Sequence, residues 1–179
     1  MNMEDLGPAT TKFILHWGEM GTRWGVNRTV AQIHALLYIS PRPLNAEEVS
    51  SSLGVSRSNV STSLRELQRW GIVRIAHVLG DRRDYFESPQ DTWEMIKLIL
   101  EERKRREVDP TLQVLEACLA ECGTTPSADD RVRERLENMH ALFQTMDSWY
   151  REVMSLSDKD LKRLLGMSRQ VRKLLRFRS

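Results

Sequence analysis

The chain has 179 residues, 40% of them apolar and 29% charged, with a formal net charge of +2. That length suits one domain, or a small domain with an extension, and the composition excludes a disordered chain. No apolar run approaches the ~20 residues of a membrane span, and MNMEDLGPATTK lacks the basic-then-apolar layout of a signal peptide, so a cytoplasmic protein with no membrane partner is expected.

From Leu6 to Arg23 the chain is helix-permissive, anchored by Phe13, Ile14 and Trp17, and Gly21 and Gly25 loosen it. Asn27 caps a second helix, where Val30, Ile33 and Leu37, with Leu36 beside them, fall at helical spacing. Ser40-Pro41-Arg42-Pro43 stops it, because proline lacks the donor and disfavours helix in the residue before it. A third helix begins after Asn45, with Glu48 three positions on as a variant of the capping box, and Gly54 ends it early. A fourth helix, capped by Ser56, runs to Trp70-Gly71. IVRIAHV is a β-rich run with Val73 and Ile75 alternating against Arg74; LGDRRD is a loop, Tyr85-Phe86-Glu87 returns as a second strand, and Ser88-Pro89 ends the unit.

Beyond Pro89 the pattern is helical. Trp93, Ile96 and Leu100 fall at spacings of three and four, and the mixed-sign run from Glu101 to Glu107 reads as a solvated helix face with i, i+4 pairs. Leu112, Leu115 and Leu119 continue to Gly123, and Thr124 to Ser127, with Pro126, is a turn. A long amphipathic segment carries Leu136, Met139, Phe143, Met146, Tyr150 and Val153. Ser157 and Asp158 start a last helix through Leu161, Leu164, Val171 and Leu174. Its cations, Lys159, Lys162, Arg163, Arg169, Arg172, Lys173, Arg176 and Arg178, face only Asp160; they read as a solvated face, or as one that touches DNA backbone or an acidic partner.

The order helix, helix, short turn, helix, β-hairpin is a winged helix-turn-helix. The expected fold class is therefore mainly α, a three-helix unit plus β-hairpin wing over residues 27–88, with residues 1–26 and 89–179 as a helical dimerisation and effector region. In the fourth helix Val60, Leu64 and Leu67 form a buried stripe, which leaves Arg57, Ser58, Ser61, Thr62, Arg65 and Arg69 outward, with Ser56 and Asn59 at its start. Hydroxyl-bearing side chains are poor helix formers, but they are short enough to let a helix settle into a major groove, while arginine supplies charge and guanine readout. From Val49 through Arg65 there is no acidic residue to repel phosphate. At the hairpin tip Arg82 and Arg83 stand beside Asp81 and Asp84, where an arginine can lie along a minor groove, held by a neighbouring aspartate. These ten residues are the candidate DNA contacts, and the bland reading of the same positions is a solvated helix and an exposed turn.

WGVNRTVAQIHALLYIS, LNAEEVSSSLGVSRSNVSTSLRELQRWGIVR and HVLGDRRDYFES resemble the GbsR branch of MarR-type transcriptional regulators, over roughly Trp24 to Ser88. The resemblance implies a cytoplasmic, dimeric repressor or activator on a pseudo-palindromic operator. It also implies a dimer formed by the terminal helices, and an effector bound between dimer body and DNA-binding lobe; some members of the branch respond to choline.

Dimerisation has its own physical reason, since a two-fold pair doubles the contacts at half-sites about one DNA turn apart. Candidates for the interface are Phe13, Ile14, Trp17, Leu136, Met139, Phe143, Met146 and Tyr150, stripes that serve a monomer's core equally well. For a choline-like effector the candidates are Trp17, Trp24, Trp93, Trp149 and Tyr150, by cation–π attraction, with core packing as the alternative. Cys118 and Cys122 read as buried or half-buried thiols, and His16, His34, His77 and His140 lack metal-like spacing, His34 reading as a satisfied core or interface group. No cofactor, no metal and no catalysis is expected, for there is no nucleophile elbow, phosphate-cradling glycine loop or ligand cluster. The expected function is sequence-specific transcription regulation as a homodimer on duplex DNA; the alternative is a winged-helix adaptor that binds protein instead of DNA.

Overall fold

Proline and glycine set the ends of the first helix. Pro8 opens α1 (Pro8–Arg23) in the first turn, where its missing N–H costs nothing, and Gly25, at φ 74°, turns the chain beyond it. A computed structural model of the chain describes residues 6–124, 130–157, 159, 160 and 163. Pro126 and Ser127 of the expected turn lie outside the described residues, as do Asp158, Leu161, Lys162, Leu164, Arg169, Val171, Arg172, Lys173, Leu174, Arg176 and Arg178 of the expected last helix. The chain divides into two compact units, Met1–Ile99 and Leu100–Ser179.

In the first unit Asn27 caps α2 (Arg28–Ile39), its side chain accepting from the N–H of Thr29 at 2.8 Å and of Val30 at 3.4 Å. This helix is the hub: Val30, Ile33, Leu36 and Leu37 are buried as the spacing predicts, and Ala31, His34 and Ala35 are buried as well. Helix α1 packs on it through glycine. A Cβ on Gly21 would stand 2.5 Å from Cβ of Ala31, so Gly21, read from sequence as loosening the chain, is a buried helical position that lets two backbones approach. Ile14 of α1 is buried in the same core as α2, so α1 packs into the compact unit that holds the winged helix.

The capping box at Asn45 forms in full. Asn45 Oδ1 accepts from the N–H of Glu47 and Glu48 at 3.0 Å, and Glu48 accepts from the N–H of Asn45 at 2.9 Å, starting α3 (Ala46–Leu53). Gly54 ends it at φ 65°, and the Ser50 hydroxyl, donating to the Val55 carbonyl at 2.7 Å, ties the turn into α4 (Arg57–Arg69). Val60, Leu64 and Leu67 of α4 are buried, with Ser63 on the same face.

The sheet has three antiparallel strands, β1 (Leu44–Asn45), β2 (Arg74–Ala76) and β3 (Tyr85–Glu87), in the order β1-β3-β2. β1, too short to declare itself in sequence, pairs Leu44 with Phe86, so β3 is central and both Tyr85 and Phe86 are buried. The expected alternation fails at Ile75, which is 41% exposed. Ile75 sits on an edge strand that projects into water on both faces, and Val73, just before the strand, makes the contact with the core.

α5 (Thr92–Arg103) is capped by Asp91, whose carboxylate accepts from the N–H of Trp93 at 2.7 Å and of Glu94 at 3.0 Å. A π-helical turn, Lys104–Val108, precedes α6 (Asp109–Thr124). Pro110 has no N–H for the carbonyl one turn back, and the change of helical register sits just ahead of it. α7 (Asp130–Ser155) packs on α6, with Arg133 donating to the Cys122 carbonyl at 2.7 Å. The i, i+4 pair Arg103–Glu107 forms at 3.1 Å, and Ser157 caps toward Asp160, whose N–H it accepts at 3.2 Å. No described helix is long and apolar enough to cross a membrane.

Candidate nucleic-acid interface

The apolar stripe of α4 fixes what its other side presents. With Val60, Leu64 and Leu67 turned inward, Arg57, Ser58, Ser61, Thr62, Arg65 and Arg69 are all exposed, as are Ser56 and Asn59. Ser56 accepts from the N–H of Asn59 at 3.3 Å, and its hydroxyl lies 3.1 Å from that of Ser58. Arg65 lies back along its own helix, Nε donating to the Ser61 carbonyl at 3.3 Å. The first turn of α4 holds no acid, so its partial positive charge faces outward with that of Arg57.

The wing is built round one carboxylate. Asp81 accepts from Nε of Arg83 at 3.0 Å and from Nη2 at 2.5 Å, and from the Arg83 N–H at 3.0 Å. The Tyr85 hydroxyl donates to Asp81 at 2.8 Å and accepts from Arg83 at 3.0 Å. Asp81 and Arg83 lie in the loop ahead of β3, so no strand period brings them to Tyr85, and the part of its hydroxyl in this trio has no signal in the sequence. The Arg83 guanidinium, its N–H and the Tyr85 hydroxyl hold the Asp81 carboxyl well below the usual carboxylate range, and Asp81 raises Arg83 in turn. Of the two aspartates beside Arg83, Asp81 is the one that holds it. Arg82 is exposed and has no ion pair or side-chain hydrogen bond among the described residues.

A cleft of about 560 Å³ joins helix and wing, lined by Ser61, Arg65 and Gln68 on one side and by Ile75, Arg82 and Arg83 on the other. Glu47, from the first turn of α3, lines it as well; it pairs with Arg57 at 2.9 Å and stands 3.9 Å from Arg83. No sequence signal marks that residue, since it lies just outside the acid-free stretch and meets Arg57 only through the turn.

Residues 24–84 match the family model described as MarR family. The Bacillus subtilis (strain 168) protein YvaV, named as an HTH-type transcriptional regulator, is 26% identical over 145 residues, 73% of this chain and 77% of that protein. OpcR of the same strain, an HTH-type transcriptional repressor, is 24% identical over 130 residues, 65% of this chain and 66% of its own length. A crystal structure described as a transcriptional regulator superposes with a TM-score of 0.69 at 22% identity, covering 82% of this chain and 96% of that one, and it bears on the fold. Both B. subtilis relatives are named as regulators of transcription.

The other residues singled out in the sequence fall into two groups, one in each unit. In the first unit Ile14 is 1% exposed within the core; Phe13 and Trp17 are half-buried against that core, their rings 5.5 Å apart. Trp17 also lies 6.1 Å from His34, Trp24 is exposed at the end of α1, and Trp93 is half-buried in the first turn of α5. In the second unit α7 separates its apolar residues by face. Leu136, Phe143 and Tyr150 are half-buried on the side that carries His140, 3.6 Å from Glu116, and Asp147, 3.0 Å from Lys104. Met139 and Met146 are exposed and are joined by Val132, Leu142 and Trp149. Tyr150 has Lys104 5.7 Å over its ring, so that face already holds a cation. The five aromatic residues considered for an effector are thus divided between two units, Trp17, Trp24 and Trp93 in one and Trp149 and Tyr150 in the other. Cys118 and Cys122 are free, half-buried thiols.

Proposed function

We propose that the chain is a sequence-specific DNA-binding regulator of transcription that acts as a homodimer, with α4 in the major groove and the wing at the adjacent minor groove. The observation that carries this reading is the continuous polar and basic surface from Arg57 to Arg69, joined across one cleft to Arg82 and Arg83. Seated in a groove, Ser58, Ser61 and Thr62 reach phosphates and base edges without holding the helix away, and Arg57 and Arg65 carry the charged contacts. Arg83, oriented by Asp81, is the residue we assign to the narrow A·T minor groove.

Homodimerisation is supported by the outer stripe of α7. Val132, Met139, Leu142, Met146 and Trp149 recur at intervals of three, four and seven, the seam spacing of paired helices, and all are exposed. Repression, which OpcR carries in its name, is the sense of regulation we propose, in the cytoplasm. Membership of the GbsR branch and a choline-like effector rest on the resemblance of residues 24–88, and titration calorimetry without binding heat at millimolar choline would remove the effector.

Fluorescence anisotropy of a labelled duplex, selected by the protein from a randomised pool, tests the main reading. Affinity should fall steeply with salt, with a slope of about −0.9 per neutralised phosphate, and Arg57→Ala or Arg65→Ala should cost about 1–3 kcal/mol. Failure to enrich any duplex at low salt would leave the adaptor reading in its place. Sedimentation should give a dimer for the whole chain and a monomer for the Met139→Glu, Met146→Glu variant.

A further inference from the structure

Two arginines that face the groove do not stand free in the unbound protein; one carboxylate lies between them. Glu47 Oε1 is 2.9 Å from Nη2 of Arg57, at the start of α4, and Glu47 Oε2 is 3.9 Å from Nη1 of Arg83, on the wing. Three elements thus meet at one side chain: α3 supplies the acid, α4 and the wing supply the cations. A carboxylate on a surface that receives phosphate is unfavourable unless it has work there, because it repels the ligand.

We propose that Glu47 is a positioning residue that sets sequence discrimination, by fixing the spacing between the Arg57 and Arg83 guanidiniums. This rests on the DNA-binding reading above. The Arg57 side chain is 77% exposed and approaches Glu47 through Nη2, so much of the fork stays open to a duplex while the pair persists. Held in this way, the guanidinium meets a partner only where the duplex places one at the matching distance and angle. The same holds for Arg83, which Asp81 clamps from one side while Glu47 faces it from the other. A matched duplex therefore gains from arginines already ordered, whereas an unmatched duplex gains phosphate contacts only by breaking an ion pair. Because the pairs are exposed, each is weak, and its effect is to bias arginine rotamers without locking them.

Glu47→Gln separates this from general electrostatics. With the wild-type protein, affinities are measured for the selected duplex and for an unrelated duplex of equal length. In Glu47→Gln the selected duplex should bind about two- to fivefold more weakly, from loss of ordering, while the unrelated duplex binds as well or better. The salt slope on the unrelated duplex should steepen by about one, as freed Arg57 finds a phosphate. Asp84→Asn supplies the same charge change at an exposed wing residue that has no ion pair among the described residues; it should strengthen both duplexes alike. In an Arg57→Ala, Arg83→Ala background Glu47→Gln should leave the ratio of the two affinities unchanged. Equal scaling of both affinities by Glu47→Gln, or an equal loss of discrimination in Asp84→Asn, overturns the role of Glu47. A wild-type protein that binds neither duplex overturns the DNA-binding reading itself, so the two failures are distinct.

Discussion

Acid should unfold this chain partly through one ring. His34 is buried in α2 between Trp17, 6.1 Å away, and Tyr38, 6.5 Å away, and its Nε2 has no hydrogen-bond partner among the described residues. Of the two sequence readings, a satisfied core or interface group, the ring takes the core position, and its Nε2 is left without a partner among the described residues. Burial lowers its pKa from 6.5 to about 4. The folded state therefore binds fewer protons than the unfolded state between those values, and stability is full above pH 6.5, falls as the pH drops through the interval, and is fully lost from this source below about 4. At 1.36 kcal/mol per pKa unit the whole interval amounts to roughly 3 kcal/mol. The perturbation is His34→Leu, which keeps an apolar side chain of similar bulk and removes the titration. Urea unfolding followed by tryptophan fluorescence at pH 7 and near pH 4.5 supplies the comparison, because carboxylates titrate in both proteins. The wild type should lose about 2 kcal/mol more than His34→Leu over that step. Parallel losses would refute the reasoning, and would mean that the ring is protonated as easily in the fold as in water.

Gly21→Ala should destabilise by about 1–3 kcal/mol, because its Cβ would stand 2.5 Å from that of Ala31, and Ala31→Gly added to it should restore much of the loss. A mid-helix Gly→Ala with room to spare would instead stabilise by up to about 1 kcal/mol, so the sign of the melting shift decides whether α1 and α2 approach this closely. Asp81→Asn should change stability by less than about 1 kcal/mol, since the Asp81–Arg83 pair is exposed, yet it should weaken the preference for A·T flanks in a selection experiment. Arg83→Ala should lose that preference and lower affinity as well.

Much of the lobe is legible because its signals are local. Asn27, Asn45 and Ser56 are caps that need only the next three residues, Gly54 needs only its own φ, and the inward stripe of α4 needs only helical period. What stayed hidden depends on partners distant in the chain. β1 is defined by its pairing with β3, some forty residues later. Gly21 is explained by Ala31 across a helix crossing, and Ile75 is exposed because of where its strand projects. The same divide runs through the candidate site: the exposed serines and arginines of α4 follow from one helix, whereas the Glu47 pairs require the turn, the helix and the wing together. On α7 the period was visible, but the choice between Leu136, Phe143 and Tyr150 facing inward and Met139 and Met146 facing water was not.

The most direct test is to find where α4 lies on a duplex. In a Cys118→Ser, Cys122→Ser background, Ser61→Cys carrying an iron–EDTA group cleaves the strands nearest that residue. Two cleavage centres should appear within the selected site, related by two-fold symmetry and about one helical turn apart, each on the major-groove side. Uniform cleavage along the duplex, or protection of the DNA with no cleavage near the label, would contradict α4 as the groove-reading element.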